Sequence, residues 1–220
     1  MQSLLDLEAP GSSAPDALRA GVVLLRGFAL PCASVLRQAI DAVVGVAPFR
    51  HLVTPGGHRM SVAMTNCGRV GWVSDRRGYR YERHDPVTGR AWPGMPECFQ
   101  SLARDAAMIA GFEGFAPNAC LINRYEAGAK LSLHQDRDEN NYDQPIVSVS
   151  LGIPAIFLLG GLERSDPTQR VPLFHGDVLV WGGPARMNYH GVMPMKALRH
   201  AFMDDVRINL TFRTACRAPI

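Results

Sequence analysis

His134-Gln135-Asp136 places an imidazole two residues from a carboxylate, within the stretch of residues 120–139. Side chains on a strand alternate with period two, so His134 and Asp136 can face one way while Gln135 turns aside. They would then be two of the three ligands of a facial triad. That set of two His and one carboxylate holds iron(II) and leaves three coordination positions open. The third ligand must come from elsewhere, and His190, in Asn188-Tyr189-His190-Gly191-Val192, is the best candidate. The bare pair is weak evidence, because such residues meet by chance and a loop His is usually solvated.

A second chemical stretch is Arg207-Ile208-Asn209-Leu210-Thr211-Phe212-Arg213. Period two puts Arg207, Asn209, Thr211 and Arg213 on one face and Ile208, Leu210 and Phe212 on the other. The polar face is either solvated, as on a half-exposed antiparallel strand, or the lining of a pocket. Asn123 and Tyr125, polar residues in an otherwise apolar strand, favour the pocket. Two Arg, two Asn and one Tyr on neighbouring strands would bind a dianion. Arg suits a distal carboxylate because its planar fork gives two parallel charge-assisted bonds. Two guanidiniums facing a closed interior would be costly without such an anion.

These groups need a scaffold. Residues 1–17 are non-periodic and read as a loose lead-in. Residues 21–28 are apolar, short and Gly-bounded, which predicts a strand. Leu36, Ala39, Ile40, Val43 and Val44 lie on one face of a helix over 33–47. Phe99, Leu102, Ala103, Ala106 and Ala110 do the same for a second helix, with Gly111 as its stop. Between them, residues 49–96 are Gly-rich and carry Trp72, Tyr79, Tyr81 and Trp92, with short strands expected over 60–65 and 79–81. From 118 to 214 strands take over, at 119–125, 146–151, 155–159, 171–174, 177–181 and 206–212. Two helices followed by many turn-punctuated strands predict an α+β double-sheet barrel backed by helices, in one domain spanning the chain.

Net charge is only +3, but the window from Arg50 to Trp92 holds eight Arg against three acids. Five cysteines, odd in number and without a C-x-x-C, read as reduced thiols of a cytoplasmic protein. No apolar run is long enough to span a bilayer, and no secretory signal is evident.

His134-x-Asp136, His190 and Arg207-x-Asn209-x-Thr211-Phe212-Arg213 together resemble the signature of the iron(II)/2-oxoglutarate-dependent AlkB family. The resemblance runs over about residues 20–214. It includes Thr54-Pro55-Gly56-Gly57, residues 61–68, Leu121-Ile122-Asn123-Arg124-Tyr125 and residues 177–183. It implies a double-stranded β-helix (jelly-roll) catalytic barrel over 118–214 and a nucleotide-recognition flap over 49–96. It implies iron ligation by His134, Asp136 and His190, with O2 as oxidant. It also implies a 2-oxoglutarate cage of Arg207, Arg213, Asn123, Tyr125 and Asn209. The implied activity is oxidative dealkylation of 1-methyladenine and 3-methylcytosine in single-stranded DNA, releasing formaldehyde, with RNA and duplex DNA left open. A base must leave the stack to reach such a metal. Trp72 resembles the residue that stacks on it, Tyr79 one that binds phosphate, and Asp138 the carboxylate that meets the exocyclic amine. Arg164, Thr54 and Met64 resemble further substrate contacts. His58 departs from the pattern, because an enterobacterial member has Tyr there.

Two alternatives remain at this level. One is the same oxygenase chemistry on a protein or small molecule, and the other is a non-catalytic nucleic-acid-binding barrel. Trp72 and Tyr79 could be ordinary packed aromatics, and Asp138-Glu139 a surface acidic run. The protein is expected to act as a monomer without a membrane.

Overall fold

The central strands are buried on both faces, covered by helices on one side and a second sheet on the other. The computed structural model describes residues 14–216. β1 (Asp16–Arg19) and β2 (Val22–Leu25) form a hairpin around Gly21, whose φ of 76° suits glycine. Then come α1 (Ala33–Val46), β3 (Arg50–Val53), β4 (Arg59–Gly68), β5 (Gly71–Asp75), β6 (Gly78–Glu82) and α2 (Glu97–Ile109). The remaining strands are β7 (Ala119–Tyr125), β8 (Leu131–His134), β9 (Ile146–Gly152), β10 (Ala155–Leu159), β11 (Gln169–Leu173), β12 (Val178–Trp181), β13 (His190–Val192) and β14 (Arg207–Arg213).

The major sheet runs β1-β2-β12-β9-β14-β7-β4-β3 and the minor sheet β11-β10-β13-β8, while β5 and β6 pair by themselves. The crossovers in these orders, with antiparallel pairing throughout, make the double-stranded β-helix expected from the sequence. Leu36, Ile40 and Val43 of α1 and Phe99, Leu102 and Ala106 of α2 pack on Cys120, Ile122, Val149, Leu210 and Phe212 of the major sheet. Phe99 meets Phe212 edge-on at 5.9 Å, and burying such a ring contributes roughly 1.5–3 kcal/mol. The opposite face of the major sheet meets the minor sheet through Leu121, Tyr125, Phe157, Leu159, Trp181 and Val192. The polar face of β14 looks into this gap, and all seven of its residues are buried. That settles the choice between solvent and pocket left open by the pattern.

The lead-in was drawn to residue 17, but β1 starts at Asp16, its edge strand held by pairing with β2. Residues 1–13 lie outside the described residues. β3, β5 and β13 were not anticipated as strands, and β8 only as a strand carrying both His134 and Asp136, whereas it stops at His134; each is three to five residues long and too short for a periodic signal. β4 extends from Arg59 to Gly68, beyond the expected 60–65. Among the described residues no helix is long and apolar enough to cross a membrane.

Candidate metal centre and its cavity

His134 ends β8 and His190 begins β13, and the two are register partners across this antiparallel pair. Cross-strand neighbours on one face sit close enough to share a ligand. Gly191 makes the approach feasible, because a Cβ there would lie 2.7 Å from the Leu131 carbonyl oxygen. Asp136 is not on a strand, since β8 stops at His134. His134 and Asp136 therefore meet without sharing a strand. What brings Asp136 inward is Arg213, whose Nε and Nη2 donate to its Oδ2 at 3.0 and 2.6 Å.

The ligand atoms of His134, Asp136 and His190 all lie within 4.8 Å of one another. Asp136 Oδ1 is 3.7 Å from His134 Nε2, and its Oδ2 is 3.6 Å from His190 Nε2. Each imidazole has its Nδ1 against a carbonyl, Ser132 at 2.9 Å and Asn188 at 3.0 Å. An Nδ1–H donating there leaves Nε2 bare and aimed at the shared point, the tautomer that a metal requires. Burial, with His134 alongside, pushes the His190 pKa down to about 4, so the ring is neutral at pH 7. Burial would raise the Asp136 pKa, but Arg213 and then the two imidazoles outweigh it and hold the carboxyl well below its usual range. Two imidazoles, each with its Nδ1 engaged, and one carboxylate fit a divalent iron with open positions.

Deeper in the gap, β14 lies between β7 and β9, with Asn209 opposite both Asn123 and Ser150. Arg207 is fully buried and donates Nη2 to Ser150 Oγ at 3.1 Å, while its Nε and Nη1 have no hydrogen-bond partner among the described residues. Its guanidinium carbon sits 5.0 Å from the Tyr125 ring centre. Burial pushes the Arg207 pKa down from its ordinary value. Asn123 Oδ1 also lacks a partner among the described residues, and Asn209 Nδ2 donates to Ser148 Oγ at 2.8 Å. A buried cation with two unused donors is what a bound carboxylate would complete. The residues thus fit both groups, the metal and the diacid.

Nearer the surface, Trp72 and Tyr79 stack at 5.6 Å with 12° between their planes. Asn66 grips the Trp72 backbone at both its N–H and its carbonyl, and Trp72 Nε1 donates to Asp138 Oδ2 at 2.8 Å. A single cavity of about 630 Å³ is lined by all the expected iron, 2-oxoglutarate and substrate residues, Thr54, Met64 and Arg164 included, but not by Tyr81, Trp92, His58 or Glu139.

Other participants escaped the sequence reading. Ser148 and Ser150, two apart in apolar β9, carried a period-two signal that could have been read. Phe157 and Trp181 flank the His190 ring at 5.7 and 5.0 Å. Glu139 is no surface acid: it is 4 % exposed and accepts from Tyr81 Oη at 2.7 Å and from Arg186 Nη2 at 3.2 Å. Arg186 also donates to the Asp136 carbonyl at 2.8 Å. Nothing local in Asp138-Glu139-Asn140 marks Glu139 as buried. Asp138 is exposed, as a surface acid would be.

Fold and ligand set together define the class, and the 2OG-Fe(II) oxygenase superfamily matches residues 21–213. Iron(II) and 2-oxoglutarate are accordingly its cofactors, with O2 as cosubstrate. Within that class the chain belongs to the AlkB family of dioxygenases. It is 55 % identical over 212 residues to the alpha-ketoglutarate-dependent dioxygenase AlkB of Escherichia coli K12, covering 96 % of this chain and 98 % of that one. The Salmonella typhimurium AlkB is 54 % identical over the same length and coverage. The solved structure of OsALKBH1 superposes with a TM-score of 0.79 at 31 % identity, over 90 % of this chain and 99 % of that one.

Proposed function

We propose that the enzyme oxidatively removes alkyl groups from base nitrogens, such as those of 1-methyladenine and 3-methylcytosine, in single-stranded DNA. The observation that carries this reading is one cavity joining the His134–Asp136–His190 cluster to the Trp72–Tyr79 stack and Asp138. His134, Asp136 and His190 would hold the iron. Arg207 would take the distal carboxylate of 2-oxoglutarate on its two unpaired nitrogens, with Asn123, Tyr125, Asn209 and Arg213 enclosing the rest. Bound iron with 2-oxoglutarate and O2 supplies the oxidation of an N-methyl group, whose hydroxymethyl product falls apart to formaldehyde and free base.

The side chains govern which group is presented. A base swung out of its stack is gripped by an aromatic face, and Trp72 offers one held in place by Asn66 and Asp138. Methylated adenine and cytosine are cationic, so an aromatic face and a carboxylate both favour them over the neutral repaired base. Asp138 uses one oxygen for the Trp72 indole and keeps the other for an exocyclic amine. Tyr79 would meet phosphate, and Thr54, Met64 and Arg164, which line the same cavity, would border the base. Phe157, Trp181 and the Trp72 shelf exclude water from the reacting methyl. RNA and duplex DNA are compared with single-stranded DNA in the same assay.

The test is turnover of a 3-methylcytosine oligonucleotide with iron and 2-oxoglutarate, reading succinate and formaldehyde. Equal succinate with and without the oligonucleotide, and no formaldehyde, would refute the substrate. Trp72→Ala then separates this reading from action on a protein or small molecule, because only base turnover needs the indole. We also place the enzyme in the cytoplasm, as a monomer. The five unpaired cysteines support a reducing compartment, and light scattering checks the mass.

A further inference from the structure

A second concavity, a surface groove of about 620 Å³, shares Tyr79 and Asp138 with the metal-site cavity. Those two side chains therefore form the wall between the two spaces. Three arginines line the groove, Arg69, Arg80 and Arg83, and their charges are committed differently. Arg80 is consumed by the hairpin itself, pairing with Asp75 at 2.9 Å and Glu82 at 2.7 Å. The Asp138 carboxylate is turned to the Trp72 indole. Arg69 and Arg83 are exposed and, among the described residues, make no ion pair or side-chain hydrogen bond. The groove thus offers two free guanidiniums, beginning at the aromatic step that closes the reactive pocket.

We propose that this groove carries the phosphodiester backbone of the strand flanking the flipped base, with Arg69 and Arg83 as its phosphate ligands. The inference rests on the nucleic-acid reading above and extends it from the base pocket to the neighbouring nucleotides. A guanidinium fork matches phosphate geometry, and Tyr79, 46 % exposed between the two spaces, would carry its phosphate contact on from the base pocket into the groove. Besides Tyr79 and Tyr81 the apolar lining is only Val70, Ala215 and Cys216, and Tyr81 is already tied to Glu139, so the free groups of the groove are mainly its two guanidiniums.

Binding of an unmodified single strand of roughly 12 nucleotides to the iron- and 2-oxoglutarate-loaded enzyme, followed by fluorescence anisotropy across a salt series, tests this. Arg69→Gln with Arg83→Gln should weaken binding roughly tenfold at low salt and flatten the log–log salt slope by about 1.4, two contacts at ~0.7 each. Arg69→Lys with Arg83→Lys should keep the slope, because the charge stays. Arg76→Gln with Arg90→Gln removes equal charge from exposed positions lining neither cavity and should leave the slope unchanged within error. An unchanged slope in the Arg69/Arg83 pair, or an equal loss in the Arg76/Arg90 pair, overturns the groove. A methylated trinucleotide, too short to need the groove, keeps the two readings apart. If it is demethylated while the slope stays put, only the groove fails; if it is never demethylated, the base-repair reading fails whatever the slope does.

Discussion

Arg207 and Arg213 share a strand and a face, and both are buried, at 1 % and 7 % exposure. By sequence they are a matched pair of cations for a diacid. The structure gives them opposite electrostatic situations. Arg213 is saturated: it meets Asp136 through two nitrogens and Glu139 at 3.2 Å, and Arg186 closes the cluster from the other side of Glu139. Two guanidiniums and two carboxylates balance there, and Tyr81 of β6 ties the hairpin to the same Glu139. Arg207, by contrast, has one hydroxyl and an aromatic ring. One end of the strand holds a metal ligand in place; the other stays under-satisfied until an anion arrives. A buried charge without partners is destabilising, so the second arrangement makes sense only as a binding site.

Asp136→Ala should have the largest effect, because it removes an iron ligand and orphans Arg213 at one stroke. Turnover should vanish, and chemical denaturation should show a loss of about 3–5 kcal/mol. His134→Ala should also abolish turnover and iron uptake, yet leave stability far closer to wild type, since no arginine depends on it. Equal stability losses in the two variants would break the comparison.

Next come the arginines themselves. Arg213→Met leaves two buried carboxylates short of a cation and should destabilise the protein by about 3–5 kcal/mol. Arg207→Met removes an unpaired buried cation, so the ligand-free protein should hold or gain thermal stability while losing 2-oxoglutarate. Wild type should gain about 2.7 kcal/mol at a 2-oxoglutarate concentration one hundred times its Kd, and Arg207→Met none. A fall in ligand-free stability in both variants would mean that Arg207 is as well paired as Arg213. Glu139→Gln keeps the shape but leaves the cluster one positive charge in excess. It should cost about 1–3 kcal/mol, read by denaturation.

How much of this could be read beforehand follows from range. β14 and β7 carried their roles openly, because polar residues at period two in apolar strands are a local signal. The helices were legible for the same reason at period 3.6, and β7 and β10 match the expected spans to the residue. His190 facing His134 was reachable as a ligand count, but not as geometry, since β8 and β13 span only four and three residues. Glu139 was illegible: its burial depends on Tyr81 and Arg186, 58 and 47 residues away. The unequal satisfaction of Arg207 and Arg213 was equally hidden, because it depends on which carboxylates fold back onto which guanidinium.

The finest test lies in Ser150, whose Oγ accepts from Arg207 at 3.1 Å. It meets Nη2, whereas the nitrogens left for a carboxylate are Nε and Nη1. Ser150→Ala should therefore remove one hydrogen bond from the free and the bound protein alike. Stability should fall by about 1 kcal/mol in both states, and 2-oxoglutarate affinity should stay within about threefold of wild type. Paired denaturation curves with and without 2-oxoglutarate read both numbers at once. A much larger loss of affinity would show that the hydroxyl aims the guanidinium and does more than partner it. The Arg207 end would then be a preorganised site with its own positioning residue, closer in kind to the Arg213 end than the present geometry implies.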